Sequence, residues 1–373
     1  MGSKRAMLGN GLGEALGRSL SEAKRVFDLF TGSGAVAWHV AERYKHEVLA
    51  CDLQQYSVVL AASVIERTSP ITDRDWVERW MRRARARVSA HKDWKIIKEL
   101  QRNLKQLSAQ EAAAGAHEIV FDKRYPLSQA YGGYYFSPLQ SLWLDALRAS
   151  LPTEDDLRNV ALAALIQTAS RCAASPGHTA QPFKPNATAG KYLIEAWARD
   201  VAAIVRARID DIAPRSASTK GKAHCTNALE LAEEAQAGDL VFLDPPYSGV
   251  HYSRFYHVLE SVARGEVGEV SGSGRYPDRS ERPASDFSML TTSKRAFDEL
   301  LATLARKKAS VIITFPAGKA SNGLSGDDVK ALAADHFKIE EEKVSSRFST
   351  LGGDLKHRVA RQQADELILT LSN

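Results

Sequence analysis

Leu240-Val241-Phe242-Leu243 is an unbroken apolar run that ends at Asp244-Pro245-Pro246-Tyr247. A short run of this kind, closed by turn residues, reads as a strand buried in a sheet. The two prolines fix φ and remove two N–H donors, so the ladder cannot continue past them. The turn therefore presents acceptors: backbone carbonyls and the Asp244 carboxylate. Tyr247 adds an aromatic face. This set suits one task, holding a flat exocyclic amine by its two N–H donors while its nitrogen is attacked.

A second signal lies near the N-terminus. Arg25-Val26-Phe27-Asp28-Leu29-Phe30 reads as a strand, Thr31-Gly32-Ser33-Gly34 as a tight turn, residues 35–44 as a helix and residues 46–53 as a second strand. Strand, glycine turn, helix and strand make the parallel βαβ pattern. Glycine lets backbone approach a ligand closely, and a helix N-terminus favours negative charge. Asp52 closes the second strand, where an acid can hold both hydroxyls of a ribose. Asp28 either supports the turn or touches a bound cofactor. The third glycine of the dinucleotide fingerprint is absent, with Trp38 and its neighbours following instead, which argues against NAD or FAD.

The α/β rhythm stops near residue 72 and resumes at Lys222. Between them the sequence is mostly helical, with stretches near 138–150, 154–174 and 190–210. Residues 74–105 carry eleven Lys or Arg against four acids, a net +7 that exceeds the +5 of the whole chain. Such a charge on one element points to phosphate contact, with Arg82, Arg83, Arg85 and Arg87 at its centre. The alternative is a solvated helical hairpin over Trp76, Trp80 and Trp94. Tyr131-Gly132-Gly133-Tyr134-Tyr135-Phe136 is either core or a base-contacting wedge, and His178 reads as structural.

After residue 222 a short strand (223–226), a helix (228–235), the Leu240–Leu243 strand, a helix (294–306) and a strand (310–315) follow. Residues 264–286, rich in Gly, Ser, Arg and Pro, read as a long surface loop that closes over substrate or stays disordered. Residues 338–345 and 366–371, flanking Leu351-Gly352-Gly353, look like a terminal antiparallel pair. The expected architecture is an α/β, doubly wound, mostly parallel Rossmann-like sheet with an antiparallel C-terminal strand. A helical domain (71–215) is inserted between the second and third strands of the domain formed by 1–70 and 216–373.

The 373 residues, 44% hydrophobic and 25% charged, have the composition of a soluble globular protein. No apolar run approaches the ~20 residues of a membrane span, so no membrane partner is expected. Cys51, Cys172 and Cys225 lie far apart without metal spacing, consistent with a reducing, cytoplasmic setting and with no metal site.

Phe30-Thr31-Gly32-Ser33-Gly34 with Asp244-Pro245-Pro246-Tyr247 resembles the S-adenosylmethionine-dependent DNA N6-adenine methyltransferases. The order of cofactor motif, long insert and catalytic motif is similar to their alpha group, in which the insert reads the target. Gly2-Ser3-Lys4 matches that group's N-terminal motif. The resemblance implies S-adenosyl-L-methionine held by Lys4, Asp28, Phe30, Gly32, Gly34, Asp52 and Asn227. Asn227 stands where family members often carry an acid. It implies that Asp244, Pro245, Pro246 and Tyr247 hold and stack a flipped-out adenine of double-stranded DNA. Arg254, directly after that motif, is the phosphate candidate beside it. A separately acting restriction endonuclease is the partner such enzymes suggest. Rival readings are methylation of adenine in RNA or of cytosine N4, and a catalytically idle DNA-binding module on this fold. Asp rather than Ser before Pro-Pro, and the size of the insert, favour DNA adenine.

Overall fold

The computed structural model describes residues 4–347 and 363–373. Its strands are β1 (Arg25–Asp28), β2 (Glu47–Asp52), β3 (Lys222–Cys225), β4 (Leu240–Leu243), β5 (Val270–Ser271), β6 (Tyr276–Pro277), β7 (Ser310–Pro316), β8 (Lys338–Arg347) and β9 (Gln363–Ser372). Seven of them form one sheet in the order β3-β2-β1-β4-β7-β9-β8. The pairings from β3 through β7 are parallel, and β9 runs antiparallel to both its neighbours. The doubly wound sheet and its antiparallel C-terminal strand are therefore as expected. Leu351-Gly352-Gly353 and Gly2-Ser3 lie outside the described residues.

Two compact units divide the chain. One comprises Gly2–Thr68, Ser216–Tyr252 and Pro283–Asn373, and holds the sheet. Its strands alternate in period two. Phe27, Val241, Ile313 and Leu369 pack on one face against Phe297, Leu300 and Leu304 of the helix Ser293–Arg306. The neighbours in between, Asp28, Phe242 and Thr314, point to the other face. Strand order reverses between β1 and β4: β2 and β3 lie to one side, β7 to the other. A crevice opens at the carboxyl ends of strands at such a switch point, where open α/β sheets bind ligands.

The other unit takes in Ser69–Arg215 and, beyond the span expected for the insert, Ser253–Arg282. Specific bonds hold the later segment there. Arg148 donates to the carbonyls of Val262, Ala263 and Arg264, satisfying the C-terminal end of the helix His257–Arg264. The Tyr131 and Ser261 hydroxyls are 2.9 Å apart, and the Tyr135 hydroxyl donates to the carbonyls of Thr179 and Gly274. Tyr131, Tyr135 and Phe136 are fully buried, so the glycine-aromatic loop is core. His257 sits among the rings of Tyr131, Tyr135 and Tyr276, and burial lowers its pKa to about 4. The stretch expected as a long loop contains the β5–β6 hairpin, turning through Gly272 at φ 67°. Two-residue strands leave no readable alternation, which is why sequence periodicity passes over them. His178 is buried edge-on to Phe255, and its Nδ1 accepts from the Ala180 N–H.

Candidate functional site

At the end of β1 the chain makes a turn that only glycine adopts without strain. Gly32 has φ 52° and Gly34 φ 75°. A Cβ on Gly34 would lie 3.2 Å from Trp38 Nε1 and 3.4 Å from Ala61 N. The Thr31 hydroxyl donates to the Asp28 carbonyl, and the Thr31 N–H to the Cys51 carbonyl, tying the turn to β2. Gly34 then starts the helix Ala35–Arg43.

Asp52, at the end of β2, is aimed back at this turn. Its Oδ2 accepts from the Gly32 N–H at 3.0 Å and its Oδ1 from the Gln54 N–H at 2.9 Å. Phe30 is half-buried and meets Phe287 edge-on, with centroids 5.0 Å apart. Asp28 is 1% exposed, and its buried Oδ1 has no hydrogen-bond partner among the described residues. Burial, then the nearby Asp244 charge, raises its pKa to about 7; the Phe30 and Ala37 N–H groups oppose the rise and the Asp52 charge adds to it. Asn227 is the N-cap of the helix Ala228–Ala232, its carbonyl oxygen accepting from the Glu230 N–H at 2.9 Å. A further donor to that oxygen would use its second lone pair.

Across the switch point, Asp244 follows β4. The Thr314 hydroxyl of β7 donates to its Oδ1 at 3.1 Å. The Lys4 ammonium lies 3.1 Å from the same oxygen and also pairs with Glu366 of β9. Lys4 thus meets the Asp-Pro-Pro-Tyr motif directly. Asn322, 1% exposed, donates through Nδ2 to the Pro246 and Phe287 carbonyls, and the Ser321 hydroxyl accepts from the Gly249 N–H. These bonds staple the proline turn to the loop after β7. Tyr247 is half-buried and lies perpendicular to Tyr252, with centroids 6.4 Å apart.

Thr314, Glu366 and Asn322 escaped the sequence reading. Thr314 lies within an apolar strand, Glu366 follows Asp365 at the head of another and Asn322 follows Ser321 in a loop, and only strand register brings the first two to Asp244. Thr314 follows Ile313, which is level with Leu243, and Glu366 is level with Pro316. The acidic pair Asp365-Glu366 heading the apolar C-terminal run was the available signal.

The arginines separate by environment. In the helix Asp75–Ser89, Trp76 and Trp80 are buried and stacked, Arg82 and Arg85 stand exposed on the opposite face, and Arg87 is exposed in the last turn. Residues 74–105 form two helices, this one and Trp94–Asn103, with Trp94 half-buried at the start of the second. Arg83 differs, donating to the Ser150 carbonyl at 2.9 Å. Arg254 lies over the Tyr276 ring at 4.8 Å, within the helical unit.

What the sheet edge offers is a left-handed glycine turn, three carboxylates on adjacent strands and a proline turn whose acid is fixed by two donors. Comparison with known proteins agrees with that chemistry. Residues 1–313 match the family model described as D12 class N6 adenine-specific DNA methyltransferase. The chain is 26% identical over 278 residues to the type II methyltransferase M.FokI of Planomicrobium okeanokoites, covering 73% of this chain and 38% of the relative. It is also 26% identical over 283 residues to the modification methylase StsI of Streptococcus sanguinis, covering 73% and 37%. The chain thus spans little more than a third of the length of these curated relatives. With the family model extending over most of the chain and both motifs seated at the switch point, the chain belongs to the D12 class N6 adenine-specific DNA methyltransferase family.

Proposed function

We propose that this protein is a site-specific DNA adenine-N6 methyltransferase that uses S-adenosyl-L-methionine. The observation that carries the reading is the fixed Asp244 carboxylate at the end of β4, adjacent to the β1 glycine turn at the switch point. Residues at the ends of β1 and β2 fit the cofactor: the buried Asp28 Oδ1, without a partner among the described residues, is open to a hydrogen bond, and the glycine turn leaves backbone accessible at a helix N-terminus. Phe30, Gly32 and Gly34 would line the methionine and ribose, Asp52 would take the ribose hydroxyls, and Asn227 the adenine amino group. When bound, the cofactor supplies an already activated sulfonium methyl, so no covalent enzyme intermediate is required.

The protein's own contribution is positioning and electrostatics. Adenine N6 is a poor nucleophile because its lone pair conjugates with the ring. Asp244 and the Pro245 carbonyl would accept its two N–H bonds, which favours a pyramidal nitrogen with the lone pair directed at the methyl. Pro246 keeps the turn rigid, and its carbonyl is engaged by Asn322. Flipping the base out of a duplex costs a few kcal/mol, and stacking on Tyr247 would recover ~1–3 kcal/mol. The helical unit is the proposed target-recognition part, with Arg82, Arg85 and Arg87 neutralising phosphates and Arg83 bracing the helix that carries them. A separately encoded restriction nuclease is the proposed biological partner, in keeping with relatives named as type II and modification methylases.

Methylation-sensitive sequencing of DNA from cells expressing the wild type or Asp244→Ala tests this. The expected result is N6-methyladenine at one sequence context in the wild type and none in the variant. Methylation at the wild-type level by the variant would overturn the assignment of Asp244.

A further inference from the structure

Glu366 is 2% exposed, although it begins the apolar run Leu367-Ile368-Leu369 of β9. Burying a carboxylate is costly unless a counter-charge meets it. Its counter-charge is the Lys4 ammonium, and that same ammonium is 3.1 Å from Asp244 Oδ1. Thr314 donates to Oδ1 as well. Register places Thr314, Pro316 and Glu366 on one face of the β7–β9 pair, so the cluster is built into the sheet.

We infer that Glu366 is a positioning residue of the methyl-transfer site, controlling Asp244 through Lys4. The inference rests on the reading that Asp244 holds the target amine. One ammonium cannot neutralise two carboxylates. Glu366 is the more deeply buried, with a side chain 3% exposed against 24% for Asp244, so its attraction for Lys4 is less screened by water. Lys4 is thereby shared. Asp244 keeps enough negative charge to be a strong acceptor, while Oδ1 is pinned by two donors and Oδ2 is offered to the substrate N–H. Removing the charge of Glu366 would leave Lys4 to Asp244 alone. The carboxylate would then be better neutralised and a weaker acceptor for the amine.

The test is single-turnover methylation of a duplex containing the mapped site, by full-length Glu366→Gln, Lys4→Met and the double variant. Glu366→Gln should slow the chemical step by about tenfold or more. Its binding of S-adenosylmethionine and of DNA should stay within about twofold of wild type. A slower chemical step with unchanged binding is a split that loss of stability alone would not produce. Because Glu366 acts through Lys4, the double variant should be no slower than Lys4→Met. A wild-type rate in Glu366→Gln would overturn the inference, as would losses that simply multiply in the double variant. Should Glu366→Gln melt below the assay temperature, Lys4→Met/Glu366→Leu removes both charges together and is compared with Lys4→Met. Equal rates support the coupling, and a further tenfold loss overturns it. Asp244→Ala in the same assay separates the two claims. Activity surviving there defeats the reading of Asp244, whereas an inactive Asp244→Ala beside a normal Glu366→Gln defeats only the role of Glu366.

Discussion

Asp28 is a carboxyl whose ionisation folding shifts up towards neutral pH. Burial is the main cause of its rise to about 7 from an ordinary 3.8, and the Asp244 charge adds to it. The sign follows from linkage. Between roughly 3.8 and 7 the folded protein keeps a proton that the unfolded chain has already lost, so stability falls with each step up in pH and levels off above about 7. Asp28→Asn cannot ionise and escapes that fall. In urea melts, the stability of Asp28→Asn relative to wild type should therefore grow from pH 4 to pH 8, by at most on the order of 4 kcal/mol. Asp145, also raised to about 7 by burial, is common to both proteins and cancels in the difference. A pH-independent difference would mean that Asp28 is ionised when folded. At this scale the sequence was readable where chemistry is contiguous. Asp244 through Tyr247 and Phe30 through Gly34 announce themselves because each turn is built by neighbours. Lys4, Thr314, Glu366 and Asn322 are separated from Asp244 by tens to hundreds of positions, and no local pattern records that they meet.

The helix Asp75–Ser89 joins two demands at the scale of an element. Its Trp76–Trp80 side is buried, with the Trp80 indole N–H donated to the Leu147 carbonyl, and Arg82 and Arg85 point away from that side. Period-3.6 amphipathicity made the helix legible; the division of labour among its arginines was not, because it depends on what lies across from each one. Replacing Arg82, Arg85 and Arg87 by Glu should weaken DNA binding and flatten its dependence on salt. Each lost phosphate contact removes about 0.9 from the slope of log K against log salt concentration. Fluorescence-anisotropy titrations at several salt concentrations would measure this, and an unchanged slope would return the face to ordinary solvation. Arg83→Ala should behave differently. It removes the bond to the Ser150 carbonyl, so its effect should appear in thermal stability, at about 1 kcal/mol, more than in the salt slope.

The whole molecule is not folded in the order in which it is written. The sheet was legible because its central strands β4 and β7 are apolar runs bounded by turns, and the insert because the α/β rhythm stops and resumes. That Ser253–Arg282 returns to the helical unit was not legible, since the bonds holding it there join residues with no common sequence pattern. Without that segment, Tyr131 loses Ser261, Tyr135 loses Gly274, and the three carbonyls capped by Arg148 are gone. A buried hydroxyl left without its partner, as at Tyr131, costs about 1–3 kcal/mol, a large part of a domain's stability, while Tyr135 keeps its bond to Thr179. A fragment of residues 69–215 should therefore melt broadly, with weak near-ultraviolet circular dichroism. The same fragment joined to residues 253–282 through a flexible Gly/Ser linker should melt cooperatively. The His257 cage gives that fused fragment a further signature. Burial holds the histidine near 4, so its contribution to stability is present above the unfolded value of 6.5 and is lost as pH falls towards about 4. Cooperative melting of 69–215 alone, with no gain in stability or acid sensitivity from the added segment, would mean that the helical unit is complete without it.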